Sequence, residues 1–80
     1  MTKEEIHSAL EGVFQKNFNQ SDLKIGRETA AKDIAAWDSL SHLNLIVAVE
    51  KHFEIEISGF EVMGLENVGA MIDLIERKVQ

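Results

Sequence analysis

Ser39 is the residue of this chain best placed for chemistry. It lies in Trp37-Asp38-Ser39-Leu40-Ser41-His42-Leu43, where a polar, weakly patterned segment gives way to an apolar run with helical spacing. An Asp-Ser pair at such a junction suits helix capping, because side-chain oxygens satisfy the unpaired N–H groups of a first turn. The same geometry lifts the Ser39 hydroxyl to the helix's leading edge, where another protein can reach it. A serine hydroxyl is a poor nucleophile unless a base takes its proton. His42, three residues on, can share that face, but the sequence shows no third group to orient its imidazole. The histidines His7, His42 and His52 match no common metal-ligand spacing, so no metal site is expected. With no cysteine, the chain has neither disulfides nor thiolate ligands. Any thiol chemistry would need a prosthetic group to bring the sulfur.

The elements around Ser39 follow from periodicity. Thr2 with Glu5 fits a capping box, and Ile6, Ala9, Leu10, Val13 and Phe14 recur at helical spacing, predicting a first helix over about Thr2 to Lys16. Asn17 to Asp22 is rich in turn formers and stops it. A long, weakly patterned connection then runs to Asp38, with Ala30 to Asp33 as a short helical turn. Leu40 to Phe53 reads as the second helix. At about 100° per residue its apolar residues form two lobes. Leu45, Ile46, Val49 and Phe53 make one; Leu40, Leu43 and Val47 make the other, beside Asn44, Glu50, Lys51 and Glu54. A helix with two apolar lobes either sits centrally in a bundle or shows one lobe to a partner.

Glu54-Ile55-Glu56-Ile57 alternates too briefly for a sheet and reads as an extended connector. Ser58 to Met63 forms a short third helix with Gly64 near its end, and Asn67 caps a last helix carrying Val68, Met71, Ile72, Ile75 and Val79. Gly69 weakens that helix's first turn by about 1 kcal/mol relative to alanine. The fold class expected is all-α: a small four-helix bundle, one domain over residues 1–80, with a long loop between helices 1 and 2. Phe14, Phe53, Phe60, Met63, Ile72 and Ile75 are its simplest core.

Fourteen acidic against eight basic side chains give a formal charge of −6. That balance disfavours nucleic acid and anionic membranes and favours partners with basic patches. No segment approaches the roughly 20 apolar residues of a membrane span. Met1 to Ile6 lacks the basic-then-apolar order of a secretion signal. A cytoplasmic monomer without stable membrane association is the expectation.

Trp-Asp-Ser-Leu, the apolar helix ending in Glu50-Lys51-His52-Phe53, then Glu54-Ile55-Glu56-Ile57 and the Asn67 to Ile75 helix together resemble the acyl carrier protein family. The likeness runs from about Asp33 to the C-terminus, and the first helix agrees in type. It implies that Ser39 is esterified with 4′-phosphopantetheine by a phosphopantetheinyl transferase using coenzyme A. Asp38 would help place that transferase and its metal ion. The arm's thiol would then carry acyl groups as thioesters among acyl-loading and acyl-transfer enzymes, and the protein itself would not be an enzyme. Where family members often have glycine before Trp-Asp-Ser this chain has Ala36, so that position does not need a positive φ.

The resemblance places partner contacts at Leu40, Leu43, Asn44, Val47, Glu50, Lys51 and Glu54. Many fatty-acid-synthesis carriers have acids where this chain has Ser41, Asn44, Lys51 and His52, which suggests a dedicated carrier for lipid or polyketide-type biosynthesis. It also allows the bundle to open and shelter an acyl chain, with Ile55, Ile57, Phe60 and Met63 as candidates for the opening. Other readings remain: a peptidyl or aminoacyl carrier of a nonribosomal pathway, or an unmodified helical interaction module. The Gly-Asp-Ser-Leu hydrolases share Asp-Ser-Leu, but Trp37 replaces their glycine and the chain lacks room for an oxyanion-hole scaffold.

Overall fold

Four helices form where the apolar spacing places them: α1 Lys3–Asn17, α2 Ser39–Phe53, α3 Gly59–Val62 and α4 Val68–Val79. They are seen in a computed structural model that describes residues 1–79. Among those residues there is no strand, only an isolated bridge between Ala30 and Asn67. The molecule is an all-α four-helix bundle with a long first loop and a short third helix. A single 3-10 turn, Ala31–Asp33, interrupts the loop where a helical turn is expected.

Each helix starts on a cap that the sequence encodes. Thr2 and Glu5 exchange hydrogen bonds at the start of α1, the Glu5 carboxylate accepting the Thr2 N–H at 2.8 Å. Ser58 and Glu61 do the same for α3. Asn67 Oδ1 accepts the Ala70 N–H at 2.8 Å in α4. Left-handed backbone occurs at Asn19 (φ 54°) and Glu54 (φ 55°), where the chain leaves α1 and α2, and at no glycine. Gly64 follows α3 without such a φ, and Ala36 also lacks one.

The backbones of α2 and α4 scarcely approach one another, whereas α1 packs closely against both. From α1 come buried Ile6, Leu10, Val13 and Phe14. The inner lobe of α2 supplies Leu45, Ile46, Val49 and Phe53, as its periodicity predicts. Met71, Ile72, Leu74 and Ile75 close the core from α4. Phe60 and Met63 depart from expectation: they are 87% and 79% exposed and belong to no core. Helix α3 is a single turn, too short to turn both Val62 and these residues inward.

The long loop is pinned rather than loose. His7, Glu11 and Gln15, spaced four apart on one face of α1, bind its backbone in register. His7 Nε2 donates to the Ile25 carbonyl (2.6 Å), the Glu11 carboxylate accepts the Ile25 N–H (3.0 Å), and Gln15 Nε2 donates to the Leu23 carbonyl (2.8 Å). Farther on, Trp37 lays its ring edge-on against Phe14, centroids 5.1 Å apart, with Phe18 alongside at 6.2 Å. The loop also meets α4. Thr29 and Arg27 carbonyls accept the Val68 and Gly69 N–H groups, each at 2.9 Å, satisfying donors that a helix start leaves unpaired. This contact explains Gly69. A Cβ there would lie 3.0 Å from the Arg27 carbonyl oxygen and 3.2 Å from its Nη2. The same Nη2 reaches the Asp73 carboxylate at 3.0 Å, and Lys3 reaches it at 3.3 Å.

Candidate functional site

The start of α2 is built by Asp38 and Ser41, three residues apart, rather than by Ser39. The Asp38 carboxylate accepts the Ser41 N–H at 2.9 Å, while Ser41 Oγ accepts the Asp38 N–H and donates to the Ala36 carbonyl, both at 2.8 Å. Serine here fills the position that glutamate holds in the more usual reciprocal cap. The Ser41 backbone N–H, more than any other cause, holds the Asp38 carboxyl below its ordinary range. Ser39, the first residue of α2, is left exposed, and among the described residues its hydroxyl has no hydrogen-bond partner. The spacing Asp-x-x-Ser was readable in the sequence, and it releases the neighbouring serine from capping.

His42 does have an orienting group, contrary to the sequence reading. Trp37 Nε1–H donates to His42 Nδ1 at 3.0 Å, and the two rings stack with centroids 5.9 Å apart. An indole nitrogen only donates, so Nδ1 must accept, and the neutral ring carries its proton on Nε2. In that tautomer His42 has no free lone pair with which to take the Ser39 proton. His42 therefore cannot serve as the base for Ser39, and the hydrolase reading that paired them loses its mechanism.

Beside Ser39 opens a crevice of about 440 Å³ lined by Ala31, Trp37, Asp38, Ser39, His42, Leu65 and Glu66. Among the described residues no cluster of three or more His, Cys, Asp or Glu side chains is placed to hold a metal ion. No helix among them is long and apolar enough to cross a membrane.

The outer lobe of α2 stands in solvent, with Leu40 72%, Leu43 57% and Val47 48% exposed. Its flanks differ in charge. On one side lie Glu50 and exposed Glu54, although the Glu50 carboxylate also accepts the Ile57 N–H at 2.9 Å and so holds the connector. On the other side Asn44, Lys51 and His52 face Lys16 and Asn17 of α1 across a shallow groove. Neither Lys16 nor Lys51 has an ion-pair partner among the described residues.

The four residues proposed for an acyl opening are divided. Ile57 lines an apolar seam between α2 and α4 with Ile46, Val49, Leu65, Met71, Leu74 and Ile75, closed too tightly to admit water. Ile55 is half-buried against the core, while Phe60 and Met63 stand outside.

Comparison with known proteins agrees with this picture. No protein-family model matches the chain. A curated relative, the acyl carrier protein of Exiguobacterium sibiricum, is 29% identical over 79 residues, covering 99% of this chain and all of the relative. The solution NMR structure of holo acyl carrier protein from Geobacter metallireducens superposes with a TM-score of 0.85. It is 44% identical, and the match covers 90% of this chain and 83% of that one.

Proposed function

The chain belongs to the acyl carrier protein family, whose members carry and do not catalyse, and we propose that it does so through a 4′-phosphopantetheine arm esterified to Ser39. The observation that carries this reading is the free, exposed Ser39 hydroxyl at the head of α2, spared from capping by the Asp38–Ser41 pair. The solved neighbour at 44% identity is itself a holo carrier, which supports an arm here.

The residues around Ser39 fit the group chemically. The hydroxyl is open to a phosphopantetheinyl transferase carrying coenzyme A, and the crevice beside it has the volume of a small-molecule site, about 300–1,000 Å³. When attached, the arm supplies a terminal thiol that holds an acyl group as a thioester. The chain's own residues position Ser39, present a surface to the transferase, and keep the attachment point on a rigid helix end. Asp38 serves both the cap and the transferase-facing edge.

Partners of one lipid or polyketide-type pathway, in the cytoplasm, would read Leu40, Leu43 and Val47 as an apolar strip. Asn44 and Lys51 mark one flank of that strip, Glu50 and Glu54 the other. The seam at Ile57 is the place for an acyl chain to enter, passing Ile55, with Phe60 and Met63 at the exposed α3 end. A long-chain acyl form should then melt above the arm-bearing protein, since a buried chain binds only the folded state.

Co-expression with a phosphopantetheinyl transferase tests the central reading. Intact-protein mass spectrometry should show a single addition of the arm, absent in Ser39→Ala. An unshifted mass, with a control carrier modified in the same cells, would refute it.

A further inference from the structure

The feature left over once Ser39 is assigned is the imidazole beside it. His42 is held through Nδ1 by the buried Trp37, so its Nε2–H has a fixed direction, and among the described residues that N–H has no acceptor. His42 and Ser39, three residues apart on one helix face, line the same crevice. The other charged groups on its walls are Asp38, already engaged in the cap, and Glu66, both carboxylates. Neither carboxylate offers an anion a hydrogen bond. Apart from the Ser39 hydroxyl, whose proton the phosphoester would replace, the imidazole N–H is the side-chain donor in the wall that is free to do so.

We propose that this crevice is a docking subsite for the root of the arm, in which His42 Nε2–H donates to the phosphodiester attached to Ser39. The inference rests on the arm being attached to Ser39. It adds that the arm is anchored where it leaves the helix rather than swinging freely from its first bond. Beyond the phosphate the arm is uncharged and bears amides. Its N–H groups suit the Glu66 carboxylate, and its methylenes suit Leu65 and the Trp37 ring edge. Trp37 acts here as a positioning residue, fixing the tautomer and the aim of His42 while its other contacts tie the ring to α1.

The experiment compares apo and arm-bearing protein, the latter verified by mass, using ¹⁵N NMR of the histidine rings and ³¹P NMR of the arm. Loading should move the His42 Nε2 resonance in the direction of a stronger hydrogen bond and leave those of His7 and His52 in place. The Trp37 indole signal should persist in both forms. In His42→Phe, which keeps a ring against Trp37 but removes the donor, the ³¹P line should narrow as the arm root gains freedom. A loaded wild-type protein whose His42 nitrogens match the apo form overturns the subsite alone, and that comparison needs no variant to fold. Failure to load Ser39 at all overturns both the subsite and the arm.

Discussion

Replacing Gly69 and Gly12 by alanine makes the same chemical change inside two helices and should move stability in opposite directions. Alanine is favoured over glycine in a helix interior by about 1 kcal/mol. At Gly12, exposed on α1, the added Cβ meets nothing within 4 Å, so the full gain applies. At Gly69 the Cβ would press on the Arg27 carbonyl oxygen at 3.0 Å and on its Nη2 at 3.2 Å. The carbonyl cannot retreat without loosening the Gly69 N–H bond it accepts at 2.9 Å. Overpacking of this kind costs about 1–3 kcal/mol, and a weakened backbone bond about 1 more. Set against the propensity gain, Gly69→Ala should lose about 1–3 kcal/mol. For a domain of this size each kcal/mol is worth about 4–8 °C. Thermal and urea unfolding followed by circular dichroism should therefore place Gly12→Ala above the parent and Gly69→Ala clearly below it. A Gly69→Ala protein as stable as Gly12→Ala would refute the close approach of loop and helix.

Other outcomes follow from neighbouring residues with unlike surroundings. Leu45→Ala should cost about 2–5 kcal/mol because Leu45 is fully buried, whereas Leu43→Ala should stay within about 0.5 kcal/mol and show its effect in partner binding. Asp38→Ala should melt below the parent as the cap is lost, while Ser39→Ala, whose hydroxyl has no partner among the described residues, should melt with the parent. Glu5, Asp38 and Glu61 are held below the ordinary carboxyl range chiefly by backbone N–H groups of Thr2, Ser41 and Ser58, and Asp73 chiefly by Arg27. Depressed folded values mean that their contribution is complete above the unfolded carboxyl range, about pH 4. It is lost as pH falls through the folded values. Urea midpoints should be flat from pH 7 to about 5 and then decline, and a midpoint that rises on acidification would contradict this.

Periodicity and capping chemistry made the architecture legible. The inner lobe of α2, the Thr2–Glu5 cap and the Asn67 cap are local patterns, and local physics decides them. The exposed position of Ser39 at the head of α2 was legible too, through the residues around it. What escaped was set by distant contacts. Gly69 reads in sequence as a weak spot in α4, because nothing local announces that the Arg27 carbonyl, 42 positions earlier, needs the space. The orienting partner of His42 lay five residues away, but only the loop's descent onto Phe14 turns the Trp37 indole toward it. His7, Glu11 and Gln15 were visible as a polar row, yet a row at helical spacing is usually a solvated face. Phe60 and Met63 read as core by residue type, but a one-turn helix cannot bury both sides of itself.

Helix α1 acts as the spine of a book whose covers are α2 and α4. Among the described residues no backbone hydrogen bond joins those covers, and only side chains meet along the seam. Prising them apart would therefore cost dispersion and hydration but no ladder of N–H groups, so the pages could part by degrees instead of all at once. A wedge between them would leave the spine, its polar row and the gripped loop in place. The head of α2 would then tilt with its cover.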